Sequence, residues 1–205
     1  MNTVAVVDYG MGNLRSVAKA IEHVAVDAKV IVTSNPAEVA AASRVVVPGQ
    51  GAMPDCMHEL GSRGLRDAVI RAAAEKPFLG ICIGLQMLFD HSEEGNVPGL
   101  GLIQGSVRRF DLAHPLKVPH MGWNTVHQAM AHPLWKNIDN DSRFYFVHSY
   151  YVEPALPDVI ASSTNYGILF TSAIARDNLF ATQFHPEKSA QSGLTLLENF
   201  MRWNP

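Results

Sequence analysis

With 205 residues, 47% hydrophobic and 17% charged, the chain has the make-up of a folded domain rather than a disordered segment. A net charge of −3 leaves no electrostatic footprint for nucleic acid or an anionic membrane, and no apolar run is long enough to span a bilayer. Two cysteines make no disulfide framework, nine histidines lack zinc-site spacing, and Met1 to Thr3 lead into a strand pattern without a secretory signal, so a reducing, cytoplasmic setting is expected.

Thr3 to Tyr9 is a nearly continuous apolar run, the pattern of a strand buried on both faces. The glycine-rich turn Gly10 to Asn13 follows, then helical spacing through Leu14, Val17, Ala18, Ile21 and Val24. A second strand fits 28–33. Asn35, Pro36 and Glu38 then supply an N-cap, a proline in the first turn and a capping-box glutamate. Arg44 to Pro48 reads as a third strand, with Gly49, Gln50 and Gly51 as the loop after it. Residues 55–75 are helical, broken near Gly61 to Gly64. From Phe78 a short strand runs to Cys82 and turns into a helix reaching Phe89. The order βαβαβαβα predicts a layered α/β fold with right-handed crossovers. Beyond Gly99 the texture changes to strand-like segments at 102–110, 119–126, 143–152, 159–166 and 171–184, separated by turn signals and without an intervening helix. A last helix spans Leu194 to Trp203. With no repeat and no linker, 1–205 reads as one domain.

The chemistry centres on Cys82. Gly80 and Gly84 flank it two residues away on either side, as a sharp strand-to-helix turn requires when its backbone folds back on itself. A thiol there projects above the sheet at a helix N-terminus, which favours thiolate; an inert core cysteine is the alternative. A nucleophilic thiol needs a base and an orienting carboxylate. His185 and Glu187, two apart on extended chain with Pro186 between them, share a face and can supply both. His185 alone would fit a structural histidine equally. Together with the elbow, the pair makes a Cys82–His185–Glu187 triad. Acyl chemistry also needs oxyanion donors, for which the Ile83 amide and the Gly49–Gly51 loop are candidates. That loop could also be an ordinary turn, and it lacks the Lys-Ser/Thr of a phosphate loop.

Pro48 to Gly51, Gly80 to Gln86 and His185 to Glu187 resemble the three signature blocks of class I, triad-type glutamine amidotransferases, and the likeness covers almost the whole chain. Gln50 stands where relatives often carry valine. The resemblance implies a three-layer flavodoxin-like α/β fold, with a mostly parallel central sheet and added antiparallel strands. It implies hydrolysis of L-glutamine to glutamate and ammonia through a γ-glutamyl thioester on Cys82, with His185 as base and then acid, Glu187 orienting it, and no metal or cofactor. Gln86, His148, Ser149 and Tyr150 would hold the substrate; from the residues alone, Gln86 could equally be a polar residue on a helix surface.

Within the family, Asp8 to Asn13, Pro119 to Asn124, Phe146 to Tyr151 and Lys188 are similar to glutaminase subunits that serve a cyclase of histidine biosynthesis. This implies a heterodimer with a (β/α)8-barrel cyclase, with Tyr9, Asn13, His120, Met121, Trp123, Asn124 and Lys188 facing that partner. Read by themselves, these aromatic and amide residues fit structural use as well as an interface. The alternative is a glutaminase subunit of a different amidotransferase. Free ammonia would be protonated and lost in water, and the glutaminase domain takes up all 205 residues, so a separate acceptor protein is expected. Completion of the oxyanion hole at Gly49–Gly51 is expected to await that partner. Cys56, His23, His58, His91, His114, His127 and His132 read as structural or surface residues.

Overall fold

Continuous apolar strands need cover on both faces, and the first part of the chain supplies it by alternating strands with helices. The computed structural model describes residues 2–25, 27–111 and 116–205, so His114 lies outside the described residues. Strands β1 (Asn2–Val7), β2 (Ala28–Thr33), β3 (Arg44–Gly49) and β4 (Phe78–Cys82) are joined by α1 (Leu14–Val24), α2 (Pro36–Ala41) and the pair α3 (Met53–Ser62) and α4 (Arg66–Glu75). They lie parallel in the order β2-β1-β3-β4, with Val4 opposite both Val30 and Arg44, and Val45 opposite Phe78. The chain steps outward from β1 to β2 and then back across to β3 and β4. Right-handed crossovers in opposite directions place α1 on one face and α2 to α4 on the other.

The short helix α5 (Ile83–Gln86) leads into β5 (Phe89–Ser92), β6 (Val97–Pro98), β7 (Ile103–Arg109), β8 (His120–Gln128), β9 (Ser142–His148), β10 (Tyr150–Pro154), β11 (Ile160–Tyr166), β12 (Ile168–Arg176), β13 (Leu179–Thr182) and α6 (Ala190–Arg202). Strand β13 joins β4 in parallel, completing a five-stranded parallel centre. The sheet then continues β12-β10-β7-β5-β6, and β11 branches from β12 to carry β8 and β9. Apart from the parallel β5–β7 pair, these added strands are antiparallel. The core runs through the sheet, with Phe78, Phe89, Phe144, Phe146, Phe180, Phe184 and Phe200 fully buried. Helix α6 packs on α1, and the buried Arg44 guanidinium on β3 donates to the Trp203 carbonyl just beyond α6. Among the described residues, no helix is long and apolar enough to cross a membrane.

Three expectations change. The helix after Cys82 is one turn long rather than running to Phe89, because amides of Leu100 to Ile103 capture the Met87, Leu88 and Phe89 carbonyls and hold that chain extended. The 143–152 segment is two strands divided at Ser149, and 171–184 is a hairpin of β12 and β13 turning at Asp177 and Asn178. Asp177 at φ 51° takes the left-handed conformation that such a turn needs.

Candidate active site

Three neighbouring parallel strands deliver the site. Gly49 ends β3 directly opposite Cys82 at the end of β4, while β13 on the other side pairs Thr182 with Ile81 and leads into His185. The carboxyl ends of parallel strands are where an open α/β sheet forms its crevice. A cavity of about 260 Å³ opens there, lined on one side by Gln50, Gly51, Cys82, Ile83 and Gln86 and on the other by Val147, His148, Ser149, Tyr150 and His185, with Glu94 and Pro119 at its rim.

Cys82 sits at φ 56°, ψ −106°, outside the regions open to most side chains. The flanking glycines allow it. A Cβ on Gly84 would lie 1.9 Å from the Val47 carbonyl oxygen, and one on Gly80 would lie 2.6 Å from the Gly84 oxygen. Helix α5 has four residues, too short for much macrodipole, so the dipole expected to favour thiolate is weak. The positive partner is His185. Burial works against its charged form, but Cys82 and Glu187 outweigh burial and lift the imidazole to about 10. Its Nδ1 lies 2.9 Å from Glu187 Oε1, with the two side chains 5% and 1% exposed, and Nε2, without a hydrogen-bond partner among the described residues, is left for the thiol. The His–Glu contact forms across a 3₁₀ turn, Pro186–Lys188, rather than along extended strand.

The other cysteine behaves differently. Burial pushes Cys56 up to about 11, which keeps it a thiol, and its Sγ donates to the Gln50 carbonyl at 3.7 Å. Tyr9, fully buried, donates from its hydroxyl to the Pro48 carbonyl at 2.8 Å. The Gly49–Gly51 loop is thus held from beneath by two side chains. Ile83 begins α5, so its N–H has no partner within the helix and remains for an oxyanion.

Gln86 is 1% exposed, not a helix-surface residue; its Nε2 donates to the Tyr150 carbonyl at 3.2 Å and to Gln183 Oε1 at 3.1 Å, while its own oxygen has no partner among the described residues. Gln183, fully buried, in turn donates from Nε2 to Cys82 Sγ at 3.6 Å. Ser189 anchors the histidine turn by donating to the His185 carbonyl at 2.6 Å and accepting from Tyr145 N–H at 2.9 Å. Gln183 and Ser189 were not legible as site residues: no motif marks them, and their roles depend on partners brought in from other strands.

The residues expected at a partner face divide. Met121 and Trp123 are exposed at 62% and 44%. Trp123 lies edge-on to Tyr145, and the Lys188 ammonium sits over the same ring, 6.0 Å from its centroid. Asn13 and Asn124 are half-buried. Tyr9 and His120 are buried, so neither meets a partner directly; Tyr9 supports the loop and His120 lies within β8 against aromatic rings.

A cysteine on a strand-to-helix elbow, with a histidine–glutamate pair at the end of the adjacent parallel strand, is an arrangement chemically able to carry out acyl transfer through a covalent thioester. The family model for class I glutamine amidotransferases matches residues 5–203. A curated relative from Nitrosospira multiformis, named imidazole glycerol phosphate synthase subunit HisH, is 66% identical over 100% of both chains. One of the same name from Aromatoleum aromaticum is 65% identical over 100% of both. Among solved structures, a protein from Thermoplasma acidophilum described as a GMP synthase subunit superposes with a TM-score of 0.72 at 20% identity, covering 98% of this chain and 93% of that one. A structure described as a glutamine amidotransferase gives 0.71 at 17% identity, covering 97% of each chain. The chain belongs to the class I glutamine amidotransferase family and, within it, to the HisH subunits of imidazole glycerol phosphate synthase.

Proposed function

We propose that this protein hydrolyses L-glutamine through a γ-glutamyl thioester on Cys82 and passes the ammonia to a (β/α)8-barrel cyclase, forming a heterodimer with it. With that ammonia the complex makes imidazole glycerol phosphate and an aminoimidazole carboxamide ribotide in histidine biosynthesis, so it acts as a lyase overall. The observation that carries the reading is that Cys82 and His185 line one small cavity, with buried Glu187 bonded to the far nitrogen of His185. Cys82 passes its thiol proton to His185 Nε2, the sulfur attacks the side-chain carbonyl carbon of glutamine, and as the C–N bond breaks His185 gives that proton to the departing nitrogen, which leaves as ammonia. His185 then takes a proton from the water that cleaves the thioester, releasing glutamate and restoring the thiol. Glu187 keeps the Nδ1 proton in place throughout. The unpaired Gln86 oxygen is an acceptor for a substrate N–H, and the Ser149–Tyr150 segment forms the opposite wall.

The Ile83 amide serves the oxyanion together with an amide of the Gly49–Gly51 loop, which turns inward once the cyclase is docked and carries its own ligand. The unpaired cysteines suit a reducing cytoplasmic setting. The test is to mix the protein with the cyclase and measure complex formation and glutamate release together. Turnover that is the same with and without the liganded cyclase would overturn the activation step. Cys82→Ala is expected to abolish glutamine-dependent synthesis while the complex still uses added ammonium; loss of both activities would count against the division of labour.

A further inference from the structure

Two buried imidazoles, His148 at the edge of the cavity wall and His120 beside it, take no part in the chemical steps above. His120 opens β8 and His148 closes β9, directly opposite one another in the ladder, with His120 Nδ1 2.9 Å from His148 Nε2. Groups of fixed polarity pin both ends of the pair. Asn124 Nδ2 donates to the Asn165 carbonyl at 2.9 Å and Asn124 Oδ1 accepts from Thr125 N–H at 2.8 Å, so the amide cannot be reversed. The second Nδ2 hydrogen therefore points to His120 Nε2, 3.2 Å away, which must accept. His120 then carries its proton on Nδ1 and gives it to His148 Nε2. His148 carries its own on Nδ1 and donates to the Tyr150 carbonyl at 2.7 Å. That carbonyl is the same one that receives Gln86 Nε2.

Every hydrogen in the row is assigned, and each imidazole has one donor and one acceptor in use. The row holds only while both rings are neutral. Burial pushes His120 down to about 4 and His148 to about 3, with the charges of His120 and His185 adding to the effect on His148. A neutral His148 also spares the catalytic imidazolium a second positive neighbour. Phe146 and Tyr166 clamp the His120 ring at centroid distances of 4.8 and 4.0 Å, which fixes the direction of its Nδ1–H.

We propose that His120 is a positioning residue for the glutamine pocket: through His148 it fixes the Tyr150 carbonyl, and with it Gln86, to the strand that carries exposed Met121 and Trp123. The inference rests on the glutaminase reading above and adds to it a physical tie between the strand facing the cyclase and the substrate wall.

The test compares His120→Phe, which keeps the stacked ring but has no donor, with His120→Asn, whose amide places an N–H near the position of Nδ1. In the cyclase complex, His120→Phe is expected to raise the KM for glutamine about tenfold, the scale of one buried hydrogen bond, with a smaller change in kcat. His120→Asn should recover most of that loss. A residue with a packing role alone would lower Tm and leave KM unmoved. A KM for His120→Phe within about twofold of the native value, or no recovery in His120→Asn, overturns the proposal. Nitrogen NMR of the native histidines gives a readout that no variant's folding can confuse. Both His120 and His148 are expected as Nδ1–H tautomers at neutral pH, and an Nε2–H tautomer on either ring overturns the row. Absence of glutamate release by the native complex would instead overturn the glutaminase reading, and this inference with it.

Discussion

Glu187 grips His185 through a single 2.9 Å contact, in surroundings that leave its side chain 1% exposed. At this burial, exchange of a carboxylate for an amide removes the charge opposite the imidazolium with almost no change of shape. Glu187→Gln is therefore expected to bring the His185 pKa down from about 10 and to cut glutamine turnover by about 100-fold; a pH–rate profile beside the native one checks both. Gln183→Leu should act by another route, since it removes the donor to Cys82 Sγ and leaves Gln86 short of a buried partner. A loss of about tenfold or more in kcat/KM with a normal circular dichroism spectrum would fit. The meeting of Cys82 with His185 and Glu187 at one end of the sheet could be read from spacing, because Gly80, Gly84, His185 and Glu187 each carry a local constraint. Gln183 could not, since its meaning comes from Gln86 on another element.

At the scale of elements, the turn bearing His185 and Glu187 rests on α6. A Cβ on Gly193 would lie 1.9 Å from the Pro186 carbonyl oxygen, so this helix approaches the 3₁₀ turn as closely as backbone allows. Gly193→Ala should push the turn aside, destabilise the fold by about 1–3 kcal/mol and lower turnover as well; a urea midpoint and a glutaminase assay on one preparation separate the two effects. The parallel half of the sheet was legible because β1, β3 and β4 are nearly continuous apolar runs, α1 carries 3.6-residue spacing and α2 opens on the Asn35 cap. The antiparallel half was legible as strands but not as boundaries. Ser149 divides β9 from β10 as a lone serine with no glycine, proline or asparagine beside it, and the early end of α5 depends on amides from Leu100 to Ile103. Long-range capture of backbone groups of this kind leaves no mark in a local window.

Across the whole molecule, His120 and His148 link folding to acidity. Both have folded-state pKa values below the ordinary 6.5, at about 4 and about 3, so the unfolded chain binds protons that the folded one refuses. The share of stability that depends on these two neutral rings should thus be complete above pH 6.5 and fall as the pH drops toward 4, by roughly 1 kcal/mol per pH unit for each ring, while His185, raised to about 10, adds a share that is lost as the pH climbs above 6.5. Denaturant midpoints across that range check it, and the slope should lessen by one ring's share in His120→Phe. The nucleophile acts on the fold in the opposite sense. Cys82 is held at φ 56°, ψ −106°, a conformation that costs a residue with a side chain about 1–3 kcal/mol and glycine far less. Its side chain borders the cavity, so removing it enlarges space already open and gives up only the weak 3.6 Å contact from Gln183 Nε2. Cys82→Gly should therefore melt at a higher temperature than the native protein: the strain that holds the sulfur at the cavity is a standing thermal handicap, and losing the side chain would lift it.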